Sequence, residues 1–171
     1  MRPMSAIGTR AVAALHRAGV DHAVHRYEPT ERHGARRSDR PAYGLDAAAA
    51  LGLSPSVIGK TLVVAADGVL MLAIVPADRS LDLKAFAAAV GAHRATLAES
   101  RHAERATGYL TGGISPIGTL RCLRTLLDAR AADLATIYVS GGRRGLQVSL
   151  RPADLVRLVD GEVIPISSQD L

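Results

Sequence analysis

Two apolar runs, KTLVVAA (60–66) and VLMLAIV (69–75), flank the dipeptide Asp67-Gly68, and this arrangement restricts the fold more than any other part of the chain. An Asp-Gly pair between strand-like runs marks a tight hairpin, because both central turn residues must take positive φ for the turn to match the strand twist. The runs are too continuously apolar for a sheet with one wet face, so both faces are expected to be covered. Helical patterns surround the hairpin. The spacing of Ile7, Ala11, Ala14, Leu15 and Ala18 predicts a helix over 5–18 with Ser5 as cap and Gly19 as stop. LDAAAALG, LDLKAFAAAVGA and AESRHAERATG predict helices ending near Gly52, Gly91 and Gly108, and RPADLVRLVDG predicts another with Pro152 in its first turn.

AVHRY (23–27), RCLRTLLD, TIYVS, LQVSL and EVIPIS read as further strands, with GGRRG turning a second hairpin. Between them, residues 28–44 lose periodicity and gather four arginines, the pattern of a mobile basic loop. Hairpins interspersed with helices predict an α+β class. The expected architecture is a single domain with a mixed, largely antiparallel and strongly curved sheet flanked by helices. A length of 171 residues suffices for one core. The lone Cys122 permits no internal disulfide and is expected to be a packing residue in a reducing compartment. No apolar run approaches membrane-span length and the N-terminus lacks a signal pattern, so a cytoplasmic location is the default expectation.

Within VIGKTLVVAADG, the Gly-Lys-Thr triplet looks like part of a phosphate-binding loop. The required first glycine is replaced by Ser54, and the order is helix then strand, whereas such a loop follows a strand and opens a helix. A nucleotide triphosphate site is therefore excluded. Lys60 is either an exposed edge charge that discourages strand pairing or a cation projecting into a pocket. TGYLTGGISPIG (107–118) is the second unusual stretch. Gly112 and Gly113 permit close backbone approach and Pro116 stiffens the segment, which suits either an amide cradle for an oxyanion or an ordinary turn. The formal net charge of +5 favours a polyanionic partner, or a merely solvated basic surface.

TGYLTGGISPIG, ATIYVSGGRRGL, the early HRYE, and GKTL before a hairpin followed by LDLKAFAAAVGA together resemble the YbaK-type Cys-tRNA(Pro) deacylases, within the prolyl-tRNA synthetase editing-domain superfamily. The resemblance runs from about residue 5 to about residue 160 with the motifs in order, and implies one editing domain over 1–171. It implies that Lys60, Gly112, Gly113, Ile114 and Ser115 carry catalysis, the loop amides meeting the ester carbonyl and Lys60 positioning the aminoacyl-adenosine end. It implies substrate binding by Tyr27, Tyr43, Thr61, Pro116, Ser140 and Gln147. Gln147 stands where relatives often carry Asp, which removes a charge.

The activity implied is hydrolysis of the ester between an amino acid and the terminal ribose of tRNA, with the substrate's own thiol as nucleophile. Cys122 has no flanking motif and Ser115 precedes proline with no base beside it, in keeping with a mechanism lacking an enzyme nucleophile. Alternatives are a deacylase for another aminoacyl-tRNA, such as Ala-tRNA, and a non-catalytic tRNA- or synthetase-binding module. Arg36, Arg37, Arg143 and Arg144 would follow the tRNA backbone or simply solvate the surface. Prolyl-tRNA synthetase is the partner that the resemblance implies, and 3% aromatic residues leave few stacking platforms for reading RNA. No cofactor is implied. His22 and His25, three apart on a strand, would point to opposite faces, and the other histidines lack ligand spacing, so no metal is expected.

Overall fold

The computed structural model describes residues 8–29 and 43–169. Helix α1 (Arg10–Ala18) opens at Thr9, whose hydroxyl accepts the Val12 amide, and stops at Gly19 in the left-handed region. The cap is therefore Thr9; Ser5 and Ile7 lie outside the described residues. Strand β1 (Ala23–Arg26) and helix α2 (Tyr43–Leu51) follow, then a single 3-10 turn, Pro55–Val57, capped by Ser54.

The Asp-Gly hairpin forms as its sequence requires. Strands β2 (Gly59–Ala66) and β3 (Val69–Pro76) pair from Ala66↔Val69 down to Gly59↔Pro76, with Asp67 at φ 47° and Gly68 at φ 83°. The Asp67 carboxylate accepts the amides of His93 and Arg94 at 2.8 and 2.9 Å, which holds its pKa below the usual carboxylate range. The turn thereby anchors the start of β5 (Ala95–Leu97), reached through β4 (Ser80–Leu81) and α3 (Leu83–Val90). The chain continues through α4 (Ser100–Thr107), β6 (Thr125–Asp128), α5 (Ala129–Ala132), β7 (Ile137–Ser140), β8 (Leu146–Leu150) and α6 (Pro152–Val159). It ends in β9 (Glu162–Ile164) and β10 (Ser167–Ser168).

The class is α+β, and the strands divide among separate ladders. A mixed five-stranded sheet has the order β5-β2-β3-β6-β9, with β6 parallel to both neighbours. An antiparallel sheet β1-β8-β7 packs beside it, and β4 pairs with β10. EVIPIS, expected as one strand, contributes to two sheets because Pro165 interrupts the ladder. RCLR is irregular, and Cys122 is exposed rather than packed: the strand begins only at Thr125, and the neighbouring Leu123 turns inward.

Both faces of the hairpin are covered, as its continuous apolarity requires. Val64, Ala66, Ala73 and Val75 pack on one side with Phe86 and Ala87 of α3. On the other side Val63 and Leu72 meet Ala103 and Ala106 of α4, while Ile74 joins Leu15 of α1 and the inward residues of β7 and β8. Among the described residues no helix is long and apolar enough to cross a membrane.

The two larger sheets pack tightly against each other at Gly59. A Cβ built there would lie 2.9 Å from both Ile137 Cδ1 and Ile74 Cγ2, and 3.2 Å from Val139 Cγ1. All three partners are fully buried, so none can swing aside. Gly59→Ala is therefore expected to destabilise the fold by about 1–3 kcal/mol, read as a lower midpoint in urea unfolding. An unchanged midpoint would show that the sheets have slack at this point.

A candidate active-site cleft

Val64–Ala66 of β2 pair with β5 and Val63 O accepts the Ala98 amide just beyond it, so the same edge of β2 from Gly59 to Leu62 carries no partner from that segment. The three-stranded sheet reaches this edge through one parallel bridge, Ile58↔Tyr138. Beyond the bridge a cleft of about 690 Å³ opens between β2, the N-terminal end of α2, the first turn of α4, the 111–114 loop and the β7–β8 pair.

Lys60, half-buried, stands on this wall directly after Gly59. Burial lowers its pKa by disfavouring the ammonium, and Asp78 just past the end of β3 opposes that shift. The hairpin register explains the pairing: Lys60 faces Val75, and the chain turns back beside it after Pro76. A charged amine held partly away from water is poised to meet an anionic or carbonyl oxygen.

Two polar atoms on the same wall are buried and have no hydrogen-bond partner: Thr61 Oγ1 and Gln147 Oε1. Gln147 is 7% exposed and sits in β8 between His25 of β1 and Ser140 of β7. Leaving such an atom unsatisfied costs about 1–3 kcal/mol, and both atoms belong to residues that line the cavity while being themselves shielded from it.

The glycine loop forms the opposite lip. Gly113 donates its amide to Leu110 O at 2.9 Å, closing a turn in which Gly112 takes φ 94°. Glu104 of α4 accepts both the amide and the hydroxyl of Thr111 at 2.9 Å and fixes the turn to the helix. Two close approaches require the glycines. A Cβ on Gly112 would sit 3.0 Å from the Tyr43 ring, and one on Gly113 only 2.6 Å from Arg143 Cα in the β7–β8 turn. Behind the loop, the Tyr109 hydroxyl donates to Ile117 O at 2.6 Å, and burial pushes its pKa up to about 12, which keeps it a donor.

Of the residues singled out from sequence, Tyr27, Tyr43, Lys60, Thr61, Gly112 and Ile114 line the cleft, as do Ser140 and Gln147. Gly113, Ser115 and Pro116 stand behind its surface. Ser115 is fully buried, with its hydroxyl accepting the Ile117 amide at 3.2 Å, and the amide of Gly113 is committed to Leu110. The amides of Gly112 and Ile114 donate to no described residue. Arg143 and Arg144 are exposed on the adjoining turn, and the Arg144 guanidinium lies 5.2 Å from the centre of the Tyr43 ring. Arg36 and Arg37 lie outside the described residues. His22 precedes β1 and bonds Val20 O, whereas His25 bonds the Ser149 hydroxyl, so the two serve separate contacts. Sequence reasoning missed Ser80, Ser100 and Thr111, whose hydroxyl-bearing side chains reach the cleft through tertiary packing alone.

The family described as the aminoacyl-tRNA editing domain matches residues 41–158. A candidate Cys-tRNA(Pro)/Cys-tRNA(Cys) deacylase, EbsC of Enterococcus faecalis, is 34% identical over 124 residues, which are 72% of this chain and 76% of that protein. Two crystal structures share the fold. The hypothetical protein APE2540 superposes with a TM-score of 0.81 at 23% identity, covering 94% of this chain and 100% of its own. A candidate trans-editing enzyme for prolyl-tRNA synthetase gives 0.78 at 24% identity, covering 96% and 99%.

The depressed pKa of Lys60 has a stability consequence with a definite sign. Between the folded and unfolded pKa values the unfolded chain holds the proton more tightly, so this group's contribution to stability rises with pH in that window. Lys60→Met is expected to raise the Tm at neutral pH, and its advantage over wild type should shrink as pH rises toward the ordinary lysine value of 10.5. A lower Tm at neutral pH would mean that the ammonium stabilises the fold.

Proposed function

The chain belongs to the aminoacyl-tRNA editing-domain family, and from that premise we propose that it deacylates mischarged tRNA, chiefly Cys-tRNA(Pro), with residues 1–171 acting as one editing domain. The observation that carries this reading is the convergence of Lys60, Thr61, Gly112, Ile114 and Gln147 on one cleft. A charged end, an amide lip and a polar floor match the parts of an aminoacyl ester on a terminal ribose.

In this mechanism Lys60 holds the terminal adenosine end, and the Gly112 and Ile114 amides stabilise the oxyanion that develops on the ester carbonyl. Thr61, Ser140 and Gln147 orient the ribose and aminoacyl groups, with Tyr27 and Tyr43 closing the sides. The cysteine thiol of the substrate attacks its own ester carbonyl. A C–S bond forms, the ester C–O bond breaks, the thiol proton ends on the ribose 3′-oxygen, and a thiolactone leaves. Holding the thiol and carbonyl in reach removes much of the entropic barrier and requires no enzyme nucleophile. The exposed Cys122 and the buried Ser115 take no part. Prolyl-tRNA synthetase presents the mischarged tRNA, a role suggested by the trans-editing candidate for that synthetase whose fold this chain shares.

Incubation with cysteinyl-, alanyl- and prolyl-tRNA(Pro), with and without the synthetase, is expected to show fastest loss of the cysteinyl ester. Lys60→Ala should lower kcat/KM by about 100-fold or more with its circular dichroism unchanged. Cys122→Ala should stay within about twofold of wild type. If no aminoacyl-tRNA is hydrolysed under either condition, the chain is a binding module; if Lys60→Ala turns over normally, the assigned role of the ammonium is wrong.

A further inference from the structure

The outward face of α4 is charged in a way that the cleft chemistry does not use. One side of the helix is accounted for: Ala103 and Ala106 are buried against Val63, Leu72 and Leu123, and Ser100 with Ala103 borders the cleft. At about 100° per residue, Arg101 and Arg105 fall together on the outward side, one turn and about 6 Å apart, with Glu104 between them in sequence and Ser100 at the cleft edge. Both are exposed, as is Arg121, whose amide donates to Ala106 O at the C-terminal end of the helix. Among the described residues neither Arg101 nor Arg105 is paired with a carboxylate. Glu104 holds its carboxylate on Thr111, and Glu99 precedes the helix.

An apolar feature lies beside the same edge. Leu110 is 76% exposed although it is held in a closed turn, its carbonyl accepting the Gly113 amide, with the next residue fastened to Glu104. Leu110 immediately precedes the cleft-lining Thr111, so a large aliphatic side chain stands exposed one residue from the cleft.

We infer that the single-stranded 3′ end of the RNA leaves the cleft past Leu110 and runs along α4, with Arg101 and Arg105 on successive backbone phosphates. This rests on the deacylase reading for the identity of the ligand, and extends the RNA contact to a face beyond the β7–β8 turn. Contacts of this kind hold the strand in register without reading its bases, in keeping with a cleft that recognises only the terminal aminoacyl-adenosine. Arginine at both positions suits phosphate oxygens, which its planar fork meets with two hydrogen bonds.

The test is fluorescence anisotropy with a labelled, uncharged acceptor-stem hairpin of tRNA(Pro) ending in CCA, titrated across a salt series. Arg101→Ala/Arg105→Ala is expected to weaken binding by about tenfold at low salt and to flatten the log–log salt slope by about 1.5, the loss of two phosphate contacts. Leu110→Ser should weaken binding while leaving the slope unchanged. Circular dichroism of the variants checks that the fold is intact. Unchanged affinity and slope in the double variant would overturn the inference. So would a double variant that binds the hairpin normally but no longer binds prolyl-tRNA synthetase, which would assign the face to a protein partner. Wild-type protein that binds the hairpin with the expected slope but cleaves no ester would remove the deacylase reading and leave the RNA face standing.

Discussion

The absence of a side chain at Gly59 sets the geometry on which the cleft depends. Ile74 of the five-stranded sheet and Ile137 and Val139 of the three-stranded sheet close over that Cα, so the two sheets meet there without intervening atoms. Packing this tight leaves the next residue, Lys60, at the start of the open edge. The Gly-Lys-Thr triplet therefore has a structural explanation unrelated to nucleotide phosphate. The glycine permits sheet contact, the lysine faces the cavity, and the threonine hydroxyl remains without a partner.

The other side of the cleft is assembled in the same manner, backbone against backbone. Gly113 lies on the main chain of Arg143 and Arg144, and the Tyr43 ring sits close to both Gly112 and the Arg144 guanidinium. A loop held between a ring and a neighbouring turn has little freedom, which suits amides that must already point at a developing charge. The cleft retains energetic costs that a purely structural interior would have removed. The Lys60 ammonium is partly desolvated, and two buried polar atoms lack partners. Such unrelieved terms concentrate at functional sites, where a ligand supplies the missing contacts.

Much of the fold was legible because its signals are local. Asp67-Gly68 fixed the central hairpin and its register, and Gly19, Gly91 and Gly108 ended helices in the left-handed region as expected. The division of strands among three ladders was not legible, since it depends on which distant edges pair and on Pro165 breaking the last segment. The site was legible in part for the same reason. Lys60 and the Gly112–Ile114 segment stand out by composition and by resemblance, and they do meet in one cleft. Asp78, Ser100 and Thr111 carry no local mark; hairpin register brings the first near Lys60, and the packing of α4 brings the others to the wall. Gly113 and Ser115 fit the motif as a string, but in space one donates its amide to the turn and the other is buried.

In the proposed mechanism the cleft opened beyond Gly59 binds the aminoacyl-adenosine end of tRNA. The most direct test of this binding is an amide chemical-shift map of labelled protein titrated with a non-hydrolysable cysteinyl-adenosine analogue. The largest perturbations are expected at Lys60, Thr61, Gly112, Ile114 and Ser140 and at the side-chain amide of Gln147. Saturable shifts confined to another surface, such as the groove between α1 and α6, would contradict it.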